Sequence, residues 1–99
     1  MDNKNGMTQE REAAILEGAI THYGFDTQIF KAIEELGELT VELARHRNGA
    51  VNVEAIREEL ADAFVMLNQL ELIFGDVTEI EIDKLERLDR MIHGDHVSV

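Results

Sequence analysis

The sequence predicts an all-α protein built as a four-helix antiparallel bundle that dimerises through its helices. Three observations lead there. Proline and cysteine are absent, aromatic residues make up 5% of the chain, and 44% hydrophobic residues sit beside 30% charged ones, a balance that suits helices packed on helices better than a sheet. Gly24, the Asn48-Gly49 pair and Gly75 each interrupt a helical pattern, and each is followed by a residue able to cap the next helix. Between these breaks, apolar residues recur every three or four positions.

The elements follow from the breaks. The first helix is expected over residues 8–23, the second over 27–47, the third over 53–74 and the fourth over 77–93, with 1–7 and 94–99 as flexible tails of one 99-residue domain. Asp26 or Thr27 is the expected cap of the second helix, Asn52 of the third, and Asp76, with Glu79 three residues on, of the fourth. Short connections imply antiparallel neighbours. On the second helix Ile29, Ile33, Leu36, Thr40 and Leu43, widened by Ala32 and Leu39, form the stripe expected to face inward. Ile56, Leu60, Ala63, Leu67, Leu70 and Phe74 form its counterpart on the third, while Val65, Met66 and Ile73 add apolar surface on other sides. That surplus predicts self-association, as a homodimer or tetramer. Tyr23, Phe25 and Phe30, at the first junction, read as core rather than as a base pocket.

The charge excludes several classes of partner. With 21 acidic against 9 basic residues and a net charge of −12, the field repels nucleic acid and anionic membranes, which are bound through clustered Lys and Arg. The longest apolar run, AFVML at 63–67, falls far short of a membrane span, and MDNKNGMTQERE contains no signal-peptide core. A cytoplasmic protein is expected, and without cysteine there is no disulfide or thiolate metal site.

The acids are grouped rather than scattered. Glu35, Glu38 and Glu42 fall on one flank of the second helix, and Glu59 and Asp62 repeat the three-residue spacing on the third. In an antiparallel hairpin, residues at one height share a midpoint. Glu35 with Asp62 and Glu38 with Glu59 both have theirs between residues 48 and 49, inside the expected turn, so the turn brings four carboxylates level. Such a cluster repels itself unless a cation compensates it. All-oxygen ligands select Mg²⁺, or Mn²⁺ as a substitute, and Mg²⁺ is commonly shared with substrate phosphates. A di-iron bundle normally needs Glu-x-x-His on two helices, and none of His22, His46, His93 or His96 stands three residues after a Glu. His93 and His96 belong to a tail read as disordered rather than metal-binding.

EELGE at 34–38, twenty intervening residues, and ELAD at 59–62 together resemble the EExxE and ExxD motifs of the MazG-like all-α nucleoside triphosphate pyrophosphohydrolase superfamily. The resemblance implies Glu35, Glu38, Glu59 and Asp62 as Mg²⁺ ligands, with Glu34 and Glu38 catalytic, Glu34 standing just outside the ligands or helping to activate water. It implies hydrolysis of an NTP or dNTP to the monophosphate and pyrophosphate, as in nucleotide-pool cleaning, and phosphate contact from Lys84 and Arg87 on the last helix. Two alternatives stay open. One is a non-catalytic regulatory or assembly module with a metal-stabilised acid cluster. The other is a specialised relative acting on phosphoribosyl-ATP, dUTP or dCTP.

Overall fold

A computed structural model describes residues 3–94. Among these, two short strands, β1 (Asn3–Lys4) and β2 (Met7–Thr8), precede four helices: α1 (Gln9–Tyr23), α2 (Phe25–Arg47), α3 (Val53–Phe74) and α4 (Thr78–Ile92). The all-α class and the positions of the breaks agree with the sequence reading. Residues 1, 2 and 95–99, with His96 and most of the expected C-terminal tail, lie outside the described residues. Residues 3–7, read as part of a tail, and Thr8, read as the first residue of the first helix, instead form an antiparallel hairpin with Asn3 opposite Thr8 and Lys4 opposite Met7. Its loop is Asn5-Gly6, both at positive φ (51° and 93°), the conformation for which Asn-Gly is the strongest short-range signal.

The helix ends show where the capping expectations hold. Thr8 caps α1 by accepting from the Arg11 amide at 3.1 Å. α2 starts at Phe25, immediately after Gly24, so neither Asp26 nor Thr27 is its cap; Asp26 instead places negative charge in the first turn. Gly24 sits at φ 93° while its amide bonds the Ile20 carbonyl at 2.8 Å, closing one helix as the next begins. Asn52 occupies the cap position of α3 but makes no capping bond. Its amide donates across the turn to the Glu42 carbonyl oxygen (2.9 Å) and to Glu42 Oε1 (2.7 Å), pinning the end of α2 to the start of α3. Asp76 acts one residue before the cap position of α4, accepting from the Thr78 amide and hydroxyl at 3.0 and 2.6 Å, without the Glu79 capping box.

α2 and α3 form the central hairpin, and α1 packs against both near the junction of α1 and α2. The helices meet through one edge of the predicted stripes, at Ala32 and Ala63, and through residues beside it. Gln28, Ala32 and Glu35 of α2 and Ala63, Met66 and Gln69 of α3 are the buried residues of the seam. The rest of the predicted stripe lies to one side: Ile29, Leu36, Leu39, Ile56 and Leu70 are half-buried, whereas Ile33 is 63% exposed, and Leu43, Leu60, Leu67 and Phe74 are also exposed. The two alanines explain the offset, since small side chains let the backbones approach, and Gln28 and Gln69 find each other across the seam.

α4 departs further from a closed bundle. Despite its short connection, it makes at most a marginal contact with the rest of the chain, and its apolar residues Ile80, Ile82, Leu85, Leu88 and Ile92 are exposed. A short loop fixes where a helix starts, not what it packs against. No helix among the described residues is long and apolar enough to cross a membrane.

Candidate metal centre

The seam sets the position of the acids. Gln28 Nε2 donates to Gln69 Oε1 at 2.7 Å inside it, and Gln69 Nε2 lies 3.7 Å from Met66 Sδ. This amide pair has the same midpoint as Glu35 with Asp62 and Glu38 with Glu59, so one register governs all three. Two groups of carboxylates result, Glu34, Glu35 and Glu38 in one and Glu35, Glu59 and Asp62 in the other, each offering ligand oxygens within 4.8 Å of one another. Glu35 is common to both and is buried, whereas Glu34, Glu38 and Asp62 are exposed and Glu59 is half-buried.

The structure therefore brings together all five acids of the paired motifs, Glu34, Glu35, Glu38, Glu59 and Asp62. Glu42, on the same sequence flank, is drawn away: its carboxylate accepts from Arg45 Nη1 at 3.0 Å and from Asn52. Asn52 first, and Arg45 after it, hold the Glu42 carboxyl below the usual range.

The cluster is incompletely satisfied. Glu35 Oε2 and Glu59 Oε2 are both buried without a hydrogen-bond partner. A buried, unpaired carboxylate oxygen is costly, because it has left water without a replacement donor. The Glu38 carboxyl is pushed above its ordinary value, chiefly by the charge on Glu35 and then by desolvation and Glu59. Lys31 brings a cation to the cluster, with Nζ 3.0 Å from Glu35 Oε1 and 3.1 Å from Glu34 Oε1. Glu35 and Glu34 in turn hold the Lys31 ammonium well above its usual range. Sequence reasoning missed Lys31, although its spacing of three and four from Glu34 and Glu35 was a readable signal.

Two clefts open on the acids. One of 670 Å³ is bordered by Tyr23, Phe30, Lys31, Glu34, Asp62 and the Gln28–Gln69 pair, among others. The other, of 570 Å³, is bordered by Glu34, Gly37, Glu38, Val41, Glu42 and Glu59. Tyr23, Phe25 and Phe30 are exposed rather than core, because α1 meets the hairpin through Ile20 and leaves these rings at the rim. Lys84 and Arg87 lie on α4, which contributes to neither cleft. His93, the histidine of the tail reading that is described, caps the end of α4 and pairs with Asp89 at 3.2 Å.

Comparison of the chain with protein-family models, with curated proteins and with solved structures finds no match.

The donor set fits a hard cation. It consists of oxygen alone, it carries an excess of negative charge, and two of its buried oxygens have no protein partner, the arrangement that Mg²⁺ or Mn²⁺ satisfies and a thiolate- or imidazole-seeking metal does not.

Proposed function

We propose that this chain is a Mg²⁺-dependent nucleoside triphosphate pyrophosphohydrolase of the MazG-like type, converting an NTP or dNTP to the monophosphate and pyrophosphate in the cytoplasm, in the service of nucleotide-pool cleaning. The observation that carries the reading is the convergence of five carboxylates from two helices on a point where buried Glu35 and Glu59 oxygens lack partners. The sequence resemblance of EELGE and ELAD to the superfamily motifs supports it.

Glu35, Glu38, Glu59 and Asp62 would hold the metal, with Mn²⁺ as a substitute. When bound there, Mg²⁺ supplies charge neutralisation for the phosphates and lowers the pKa of water. The chain's own groups do the rest. Buried Glu35 is held between both acid groups and orients them. Lys31 stands beside Tyr23 and Phe30 on the cleft wall, a cation where a polyphosphate enters and rings where a base can rest. Hydrolysis joins a water oxygen to phosphorus and breaks the α–β anhydride, with pyrophosphate leaving. Glu34, exposed at the rim and touching both clefts, accepts the proton that water loses. Lys84 and Arg87 reach phosphate in this reading only if α4 moves toward the acids, so Lys31 is the better-placed cation.

Pyrophosphate release from a panel of NTPs and dNTPs with Mg²⁺, comparing wild type with Glu38→Gln, tests the proposal. Release by the wild type that collapses in the variant supports it and names the substrate. No release from any nucleotide, phosphoribosyl-ATP, dUTP and dCTP included, by a folded protein that still binds Mg²⁺ overturns it. The Lys31 ion pairs favour a second reading, since a built-in cation already offsets part of the cluster. In that reading the acids stabilise a non-catalytic assembly module, and Mg²⁺ raises stability without turnover.

A further inference from the structure

We propose that the Gln28–Gln69 pair reads the nucleobase of the substrate and selects bases with an exocyclic amino group, cytosine or adenine, over their keto counterparts uracil and hypoxanthine. The inference rests on the nucleotide-hydrolysing function proposed above and narrows the substrate class of the same site. The 670 Å³ cleft runs from the acids Glu34, Glu35 and Asp62 to this pair, a size usual for a small-molecule site. Gln28 precedes Glu35 by seven residues and Gln69 follows Asp62 by seven, so both amides stand two helical turns, about 10 Å, from the acids. That is comparable with the reach from phosphate to base edge in a nucleotide. Phosphate at the charged end therefore sets the base at the neutral end, beside the exposed rings of Tyr23 and Phe30.

One atom of the pair is left over. Gln28 is 6% exposed, and its Nε2 donates to Gln69 Oε1 at 2.7 Å. Among the described residues nothing donates to Gln28 Oε1, and it is not one of the sealed oxygens, so it opens on the cleft that Gln28 borders. A carbonyl in so narrow an opening gives up its water when a ligand enters, and the ligand must donate in its place. Met66 sets the polarity. Its Sδ accepts from Gln69 Nε2 at 3.7 Å, which turns Gln69 Oε1 toward Gln28 and leaves Gln28 with its acceptor outward. Reversing both amides would set Gln69 Oε1 against the sulfur, one acceptor against another.

That acceptor distinguishes bases of equal size. Where cytosine and adenine carry an amino group projecting beyond the ring edge, uracil and hypoxanthine carry a carbonyl oxygen. The amino group donates to Gln28 Oε1. The keto oxygen would meet it acceptor to acceptor, both stripped of water with no bond gained, a loss of about 10- to 100-fold in specificity.

The test compares pyrophosphate release, as kcat/KM with Mg²⁺, within matched pairs: CTP with UTP and ATP with ITP, each as ribo- and deoxyribonucleotide. The amino member is expected to lead by about 10- to 100-fold. Gln28→Met, which removes the acceptor, brings the ratio toward one. So does Met66→Leu, which keeps both glutamines at nearly constant core volume but frees their polarity; an unchanged ratio there overturns the positioning role of Met66. Circular dichroism checks that both variants are helical. Equilibrium binding of CMP, UMP, AMP and IMP with Mg²⁺ is measured alongside, since it needs no turnover. Preference for the amino monophosphates without release from any triphosphate upholds the base reading while the hydrolase reading fails. Release with equal or greater preference for the keto member overturns the base reading and leaves the hydrolase standing. A preference that survives Gln28→Met overturns the residue assignment, and a folded protein that neither binds nor hydrolyses any of these nucleotides overturns the proposal outright.

Discussion

Glu35→Gln separates the two states of the acid cluster, because one substitution is expected to act with opposite sign with and without the cation. In the metal-free protein Glu35 belongs to both carboxylate groups, and its partners offer oxygens within 4.8 Å. At that distance and an effective dielectric of about 20, the Glu35–Glu59 pair alone carries about 3.5 kcal/mol of repulsion. Replacing the charge with an amide removes this term and supplies a donor to a region with two unpartnered oxygens. It also weakens the contact to Lys31 at 3.0 Å. The balance is a gain of about 1–2 kcal/mol, a rise in Tm of roughly 5–15 °C for a chain of this size. With Mg²⁺ at about a hundred times its Kd, the wild type gains about 2.7 kcal/mol and the variant little, so their order inverts. Thermal melts in EDTA and in Mg²⁺, at one fixed protein concentration, read both signs. A variant less stable than wild type in EDTA, or stabilised equally by Mg²⁺, would refute the reasoning, since the buried oxygens would then not be waiting for a cation.

Other expectations follow from the same contacts. Lys31→Met removes the cation bonded to Glu34 and Glu35, so the metal-free protein loses stability while the stabilisation produced by Mg²⁺ grows, which calorimetry with and without the ion would show. Asn52→Ala breaks the bond to the Glu42 carbonyl oxygen, costing about 1 kcal/mol and lowering Tm by roughly 4–8 °C, an effect that Asn52→Asp, which lacks the donor, should share. Thr78, through its hydroxyl and amide, holds the Asp76 carboxyl below its usual range. A depressed folded-state value stabilises above the unfolded-state pKa and is lost as pH falls through the folded one. Asp76→Ala should therefore reduce stability at neutral pH but match wild type in strong acid, and coinciding neutral melts would remove the role given to Asp76.

The sequence made some of this legible and concealed the rest for physical reasons. Gly24, Asn48-Gly49 and Gly75 marked helix ends because backbone geometry is local. The same turn fixes the height of Glu35 against Asp62, which is why the acid cluster is legible in the sequence. Hydrophobicity placed the inward face only in part, because Ala32 and Ala63 of the predicted stripes lie in the seam while Ile33 and Leu43 stand open and Gln28, Met66 and Gln69 are buried in their stead. A stripe records that a face will be covered, not which neighbour covers it. α4 shows the same limit, its amphipathic pattern plain and its partner undetermined by loop length. Asn5-Gly6 and Lys31 are different, since both carry local signals, a turn dipeptide and a spacing of three and four from two acids, that helical periodicity does not register.

The glutamine pair at the seam has a consequence for how the hairpin chooses its alignment. Two long helices joined by a short turn can slide by one helical turn and still bury alanine against methionine at little cost. Such a slide would strand Gln28 and Gln69 without each other, each amide shut away from water and lacking its one good match. Buried amides of this kind add little to the depth of the native minimum, but they raise the neighbouring minima. The alignment they reject is also one in which Glu35 and Asp62 would no longer meet, so a single neutral contact proofreads the placement of the charged ones.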